Sequence, residues 1–130
     1  MTTLLLDSHV LHWRIGRAGP AEQTGAEGDP RSGRVAVASI SWFELAWLAT
    51  HERIVVSISV RSWLEGLAQQ VRSVPATPAV AATAVSLPAS FPGDPADRLI
   101  FATAIEKGWQ LVTKDDRLRG HRHPRKITVR

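Results

Sequence analysis

Short apolar runs alternate with stretches of helical periodicity along this chain, and that alternation restricts the fold most. Leu4-Leu5-Leu6, Val35-Ala36-Val37-Ala38 and Trp109 to Thr113 read as buried strands, and Ile127-Thr128-Val129 as a last one. Between them, Ser8–Ile15, Ser41–Thr50, Ser62–Arg72, Thr77–Leu87 and Asp94–Lys107 carry apolar residues at helical spacing. Ile54–Val60 is β-branched and reads as extended or as a connection. The stretch Gly16–Arg34, rich in Gly, Pro and charge, reads as a loop with room for one short helix. Strands alternating with helices imply an α/β domain with a mostly parallel central sheet of four to five strands flanked by helices.

A chain of 130 residues is the size of one domain, so 1–130 is expected to fold as a unit. The absence of cysteine removes disulfides, thiolate nucleophiles and Cys-based zinc sites, and it fits a reducing cytoplasm. The first residues carry no basic segment before a brief apolar run, and no apolar stretch is long enough for a bilayer. A soluble, cytoplasmic protein without membrane contact is expected. The net charge is +4, and Arg119, Arg122, Arg125, Lys126 and Arg130 form a basic tail free of acids. Such a tail suits a polyanion, and it equally suits a solvated surface. The five tryptophans fall mostly on helix faces and read as core.

Function in a parallel sheet gathers beyond the carboxyl ends of the strands. Asp7 follows the first strand, Glu44 lies early in the helix after the second, Asp94 and Asp97 open a later helix, and Asp115 and Asp116 follow the Trp109–Thr113 strand. Each acid has a purely structural reading. Ser41-Trp42-Phe43-Glu44 has the pattern of a capping box, as does Ser62-Trp63-Leu64-Glu65, which has no companion acids. Asp94-Pro95-Ala96-Asp97 reads as a helix cap with Pro in the first turn, and Asp115-Asp116 as a turn.

Convergence separates these acids from ordinary caps. Carboxylates gathered at one sheet end raise one another's pKa, and a hard divalent cation such as Mg²⁺ or Mn²⁺ relieves the repulsion. That chemistry suits hydrolysis of a phosphodiester by water. The five histidines show no HExxH pattern, and His121-Arg122-His123 fits polyanion contact better than zinc. The G-x-S-x-G, G-x-x-x-x-G-K-[ST] and G-x-G-x-x-G patterns are absent, which argues against serine hydrolases and nucleotide-cradling loops.

The motifs then resemble a family. Leu4-Leu5-Leu6-Asp7-Ser8-His9-Val10-Leu11 is similar to the opening strand and first acid of PIN-domain toxins of the VapC type. Ser39–Ala46 resembles their Glu-bearing second motif, Phe91–Ala104 the third, and Leu111–Leu118 the fourth. The resemblance implies an acidic, metal-holding pocket of Asp7, Glu44, Asp97 and Asp115, with Asp7 and Asp97 the most direct ligands. Thr113, at the family's Thr-x-Asp spacing, selects Asp115 over Asp116. Asp94 is placed at the rim, and Arg98 is assigned to phosphate, a partner or a neighbouring acid. Ser8 stands where many relatives carry Thr, and both supply a hydroxyl.

The resemblance further implies a metal-dependent endoribonuclease, the toxin of a toxin–antitoxin pair. Its substrate would be RNA, its cofactor Mg²⁺ or Mn²⁺, and its assembly a homodimer blocked by a cognate VapB-like antitoxin. An inactive PIN-like RNA- or protein-binding module is the alternative. A phospho-acceptor receiver domain, also doubly wound, normally has an acidic pair after the first strand and a Lys late in the sheet, and neither is convincing here.

Overall fold

The computed structural model describes residues 3–13 and 35–120, together with the backbone of 128–129. The expected loop at 16–34 and the basic residues beyond Arg119 lie outside the described residues. Five parallel strands, β1 (Leu4–Leu6), β2 (Val35–Ala38), β3 (Arg72–Val74), β4 (Gln110–Val112) and β5 (Thr128–Val129), form one sheet in the order β3-β2-β1-β4-β5. Six helices accompany them among the described residues: α1 (Ser8–Leu11), α2 (Ile40–Thr50), α3 (Val60–Ala68), α4 (Pro78–Ser86), α5 (Pro95–Lys107) and α6 (Asp116–Arg119).

Register explains the run of apolar residues in β1. Leu5 lies beside Ala36 on one neighbour and Leu111 on the other, while Leu6 lies beside Val37 and Val112. Alternate residues face opposite sides of the sheet, so both sides require apolar cover. Leu5, Ala36 and Leu111 pack with Ile100, Phe101 and Ala104 of α5 and with Leu118 of α6. Leu6, Val37 and Val112 pack with Val10 and Leu11 of α1, Leu45 of α2 and Leu67 of α3. The chain runs from β1 through β2 to β3 on one side, and β4 lies on the other side of β1. This reversal places a topological switch point at the carboxyl end of β1, where Asp7 stands.

Several local expectations hold for the physical reason given. Asp94 caps α5 by accepting from the amides of Ala96 and Asp97, and Gly108 ends that helix in the left-handed conformation at φ 69°. Thr77 caps α4 ahead of Pro78.

Others are corrected. Arg72, read as the last residue of a helix, instead opens the edge strand β3, and α3 stops at Ala68. Of the two readings open for Ile54–Val60, the structure has the connection: the segment pairs with no strand, and Val60 opens α3. Neither capping box forms. Helix α2 begins at Ile40 after Ser39 without a side-chain cap, and α3 is capped by Ser59, whose hydroxyl accepts from the Ser62 amide. Glu65 instead pairs with Arg61 one turn earlier at 2.8 Å. No tryptophan among the described residues is fully buried; Trp13 and Trp47 are exposed and Trp42, Trp63 and Trp109 are partly covered. No described helix is long and apolar enough to cross a membrane.

Candidate active site

The end of β1 delivers Asp7 into a nearly closed polar environment. Its amide continues the ladder by donating to the Val112 carbonyl, and its carboxylate caps α1 by accepting from the His9 amide at 3.1 Å. The other carboxylate oxygen accepts from the fully buried Thr113 hydroxyl at 2.6 Å. Thr113 Oγ1 also accepts from the Asp115 amide at 3.0 Å, so one side chain ties the ends of β1 and β4 together.

Glu44 is held from the opposite strand neighbour. Ser8 donates to Glu44 Oε1 at 2.6 Å, and Ser8 Oγ lies 2.9 Å from Ser41 Oγ. Each hydroxyl has one proton, so Ser8 gives its own to Glu44 and accepts from Ser41. Both serines are buried, and this contact replaces the capping role expected for Ser41 and Glu44.

Glu44, Asp94 and Asp97 bring carboxylate oxygens within 4.8 Å of one another. The sequence reading set Asp94 at the rim as a cap; it caps α5 and also belongs to this group. Asp7 and Asp115 fall outside the 4.8 Å group. Asp7 is still close enough for its charge to act on both Glu44 and Asp97. Burial, followed by the charges of Asp94, Glu44 and Asp7, pushes Asp97 up to about 6, against the opposing pull of Arg117. Burial also raises Glu44, with Asp7 and Asp94 adding to it, while the Ser8 hydroxyl works in the other direction.

Asp115 has a different environment. Its Oδ1 accepts from the backbone amide of Arg117 at 2.9 Å and from Nε of that side chain at 3.1 Å, and its Oδ2 accepts from Nη2 at 2.6 Å. The guanidinium beside it holds Asp115 below the usual carboxylate range. The same Nη2 donates to Asp97 Oδ2 at 3.3 Å, so Arg117 bridges the fourth acid and the cluster. Asp116 is exposed and pairs with Arg119 at 3.0 Å.

Arg98 corrects an expectation. It turns away from the acids and donates to the carbonyls of Ala84, Leu87, Pro88, Phe91 and Pro92, at 3.1 to 3.4 Å. It thereby fastens the connection that leads into Asp94. Sequence reasoning missed Arg117, and it gave Ser8 and Ser41 no part in holding Glu44. The signal for Ser8 was its position directly after Asp7; Arg117 gave none, since its contact to Asp97 spans 20 residues.

Beside the acids lies a cleft of about 430 Å³, lined in part by His9, Phe43, Glu44, Trp47, Asp94 and Pro95. Phe43 and Trp47 are 65% and 45% exposed, so the cleft is acidic at one end and aromatic along its side. The oxygen-only donor set is of the kind a hard divalent cation takes, and the raised pKa values of Glu44 and Asp97 are what such a cation relieves.

Comparison with known proteins agrees with this geometry. The PIN domain family matches residues 4–123. Ribonuclease VapC22 of Mycobacterium tuberculosis is 61% identical over 129 residues, 99% of each chain. Among solved structures, VapBC2 from Rickettsia felis bound to a DNA fragment from its promoter superposes with a TM-score of 0.71 at 17% identity, over 98% of this chain and 97% of that one. A toxin–antitoxin complex from Klebsiella pneumoniae gives 0.68 at 16% identity, with the same coverage. The chain therefore belongs to the PIN-domain family, in its VapC branch.

Proposed function

We propose that residues 1–130 form one PIN domain acting as the toxin ribonuclease of a toxin–antitoxin pair. The reaction is hydrolysis of RNA phosphodiester bonds by water, with Mg²⁺ or Mn²⁺ as the cation. The observation that carries this reading is the approach of the Glu44, Asp94 and Asp97 carboxylates to within 4.8 Å, in a chain 61% identical to a ribonuclease.

Glu44, Asp94 and Asp97 would hold the cation, with Asp7 beside them contributing charge. A divalent cation so held polarises a phosphodiester oxygen and makes water a nucleophile near neutral pH. The protein's own groups prepare that site. Ser8, steadied by Ser41, donates to Glu44 and so favours its charged form against the opposing effect of burial. Thr113 fixes Asp7 while leaving its carboxylate with acceptor capacity to spare. Asp97 gives up its proton near pH 6, so the cluster gains charge, and hold on a cation, between about pH 5 and 7.

The cleft supports a proteinaceous inhibitor. An arginine flanked by apolar side chains, carried by a cognate VapB-like antitoxin, matches carboxylates at one end and Phe43 and Trp47 along the wall. A cytoplasmic homodimer completes the reading, following the family. Expression of the chain alone should arrest growth, Asp7→Asn should relieve the arrest, and Glu65→Gln, at an exposed residue paired with Arg61, should not. Equal harmlessness of wild type and Asp7→Asn at matched soluble levels would replace this reading with the inactive binding module.

A further inference from the structure

We propose that Arg117 contacts the substrate phosphate, and that Asp115 serves the reaction by positioning Arg117 rather than by ligating the cation. This inference rests on the reading that a phosphodiester is hydrolysed at the Glu44–Asp94–Asp97 cluster.

The hydrogen bonds of Asp115 are the starting point. Both its oxygens are engaged by Arg117, one by the backbone amide and Nε and the other by Nη2. Its oxygens do not join the group that lies within 4.8 Å. Asp115 is also the N-cap of α6, so one carboxylate fixes both the backbone and the guanidinium of Arg117. The electrostatics agree: Asp97 and Glu44 are raised by burial and neighbouring acids, whereas Asp115 is lowered by its arginine.

Arg117 has what a phosphate contact needs. Its side chain is 63% exposed, hence open to a solute, and Nη2 reaches the cluster at Asp97 Oδ2. The fork to Asp115 uses Nε and Nη2, and Nη1 takes no part in it. Guanidinium donors match phosphate oxygens in geometry and charge, and a pre-oriented fork loses little freedom on binding. As an ordinary exposed ion pair this contact would add little to stability, and its positive charge would weaken the cluster's hold on a cation. With a phosphate at the cluster, the same charge would instead attract and stabilise its anionic oxygens.

The test combines Mn²⁺ titration calorimetry with steady-state cleavage of a short single-stranded RNA. Arg117→Ala should bind Mn²⁺ as tightly as wild type or several-fold more tightly, while its kcat/KM falls roughly ten- to a hundredfold. Asp115→Asn should lose kcat/KM to a similar degree. The double variant should be no worse than Arg117→Ala, in cleavage or in Mn²⁺ affinity. Arg117→Lys, which keeps the charge without the fork, should recover part of the loss. If the double variant binds Mn²⁺ about tenfold or more weakly than Arg117→Ala, Asp115 is a ligand and the proposal is wrong. Wild-type kcat/KM in Arg117→Ala would overturn it as well. Glu44→Gln distinguishes the levels: undiminished Mn²⁺ binding there defeats the underlying site reading, and this proposal with it. Weakened binding in Glu44→Gln, joined to either of the two contrary results, defeats this proposal alone.

Discussion

Replacing Asp97 by asparagine should make the metal-free protein more stable. Asp97 has a side chain only 15% exposed, and its carboxyl is pushed from 3.8 to about 6 by burial and by Asp94, Glu44 and Asp7. Raising this carboxyl from 3.8 to about 6 corresponds to about 3 kcal/mol of penalty for the charged form. The sign follows from proton uptake. The folded chain binds this proton more tightly than the unfolded one, so stability is lost as pH rises from about 4 through 6, and the full penalty applies above that. Asparagine cannot ionise, and the Arg117 contact it forfeits is exposed and weak. A net gain of about 2 kcal/mol is expected above pH 7, which for a domain of this size is a rise of roughly 6–10 °C in Tm. Thermal melts in EDTA between pH 4 and 8 measure it. The Asp97→Asn and wild-type curves should meet near pH 4 and separate above pH 6, and added Mn²⁺ should raise the wild type more than the variant. Parallel curves across the whole range would mean that Asp97 is not repelled by its neighbours, and the cluster would be no more than a set of caps.

Thr113→Val removes the hydroxyl that binds Asp7 and receives the Asp115 amide, and urea unfolding should show a loss of about 1–3 kcal/mol. Ser8→Ala takes away the donor that lowers the Glu44 pKa, so the acid limb of the pH–rate profile should move to higher pH; an unmoved limb would contradict the contact. Arg98→Lys cannot reproduce a fork over five carbonyls, and it should cost about 2 kcal/mol with faster amide exchange across residues 84–92.

The strands at the centre were legible because their residues are apolar on both sides. Leu5 and Leu6 each meet two strand neighbours, and an unbroken apolar run is what a strand covered on both faces requires. Strand β3 was not legible: Arg72 and Ser73 are exposed, and only pairing with Ala36–Ala38 makes the segment a strand. Ile54–Val60 stayed open between strand and connection for the converse reason, since β-branched residues form no strand where no neighbour is offered. The acids could be picked out one by one, but their relations depend on contacts across the fold. Glu44 satisfies a capping pattern in sequence, yet its partner Ser8 is 36 residues away on the adjacent strand's exit. Asp94 looked like a cap and is one, and only the packing of α5 toward α2 brings it to Glu44 as well. Arg98 resembled a site residue because it follows Asp97, but successive helix positions point in different directions, and it serves the loop instead.

The ends left on cleaved RNA test the central claim most directly. Purified protein should be incubated with a single-stranded RNA in Mn²⁺ or in EDTA, and the fragments identified by mass spectrometry. Hydrolysis by water at the carboxylate cluster needs no 2′-hydroxyl, so 5′-phosphate and 3′-hydroxyl ends should appear with Mn²⁺ and no fragments with EDTA. Fragments ending in 2′,3′-cyclic phosphate that persist in EDTA would contradict it, and would move the chemistry away from Glu44, Asp94 and Asp97.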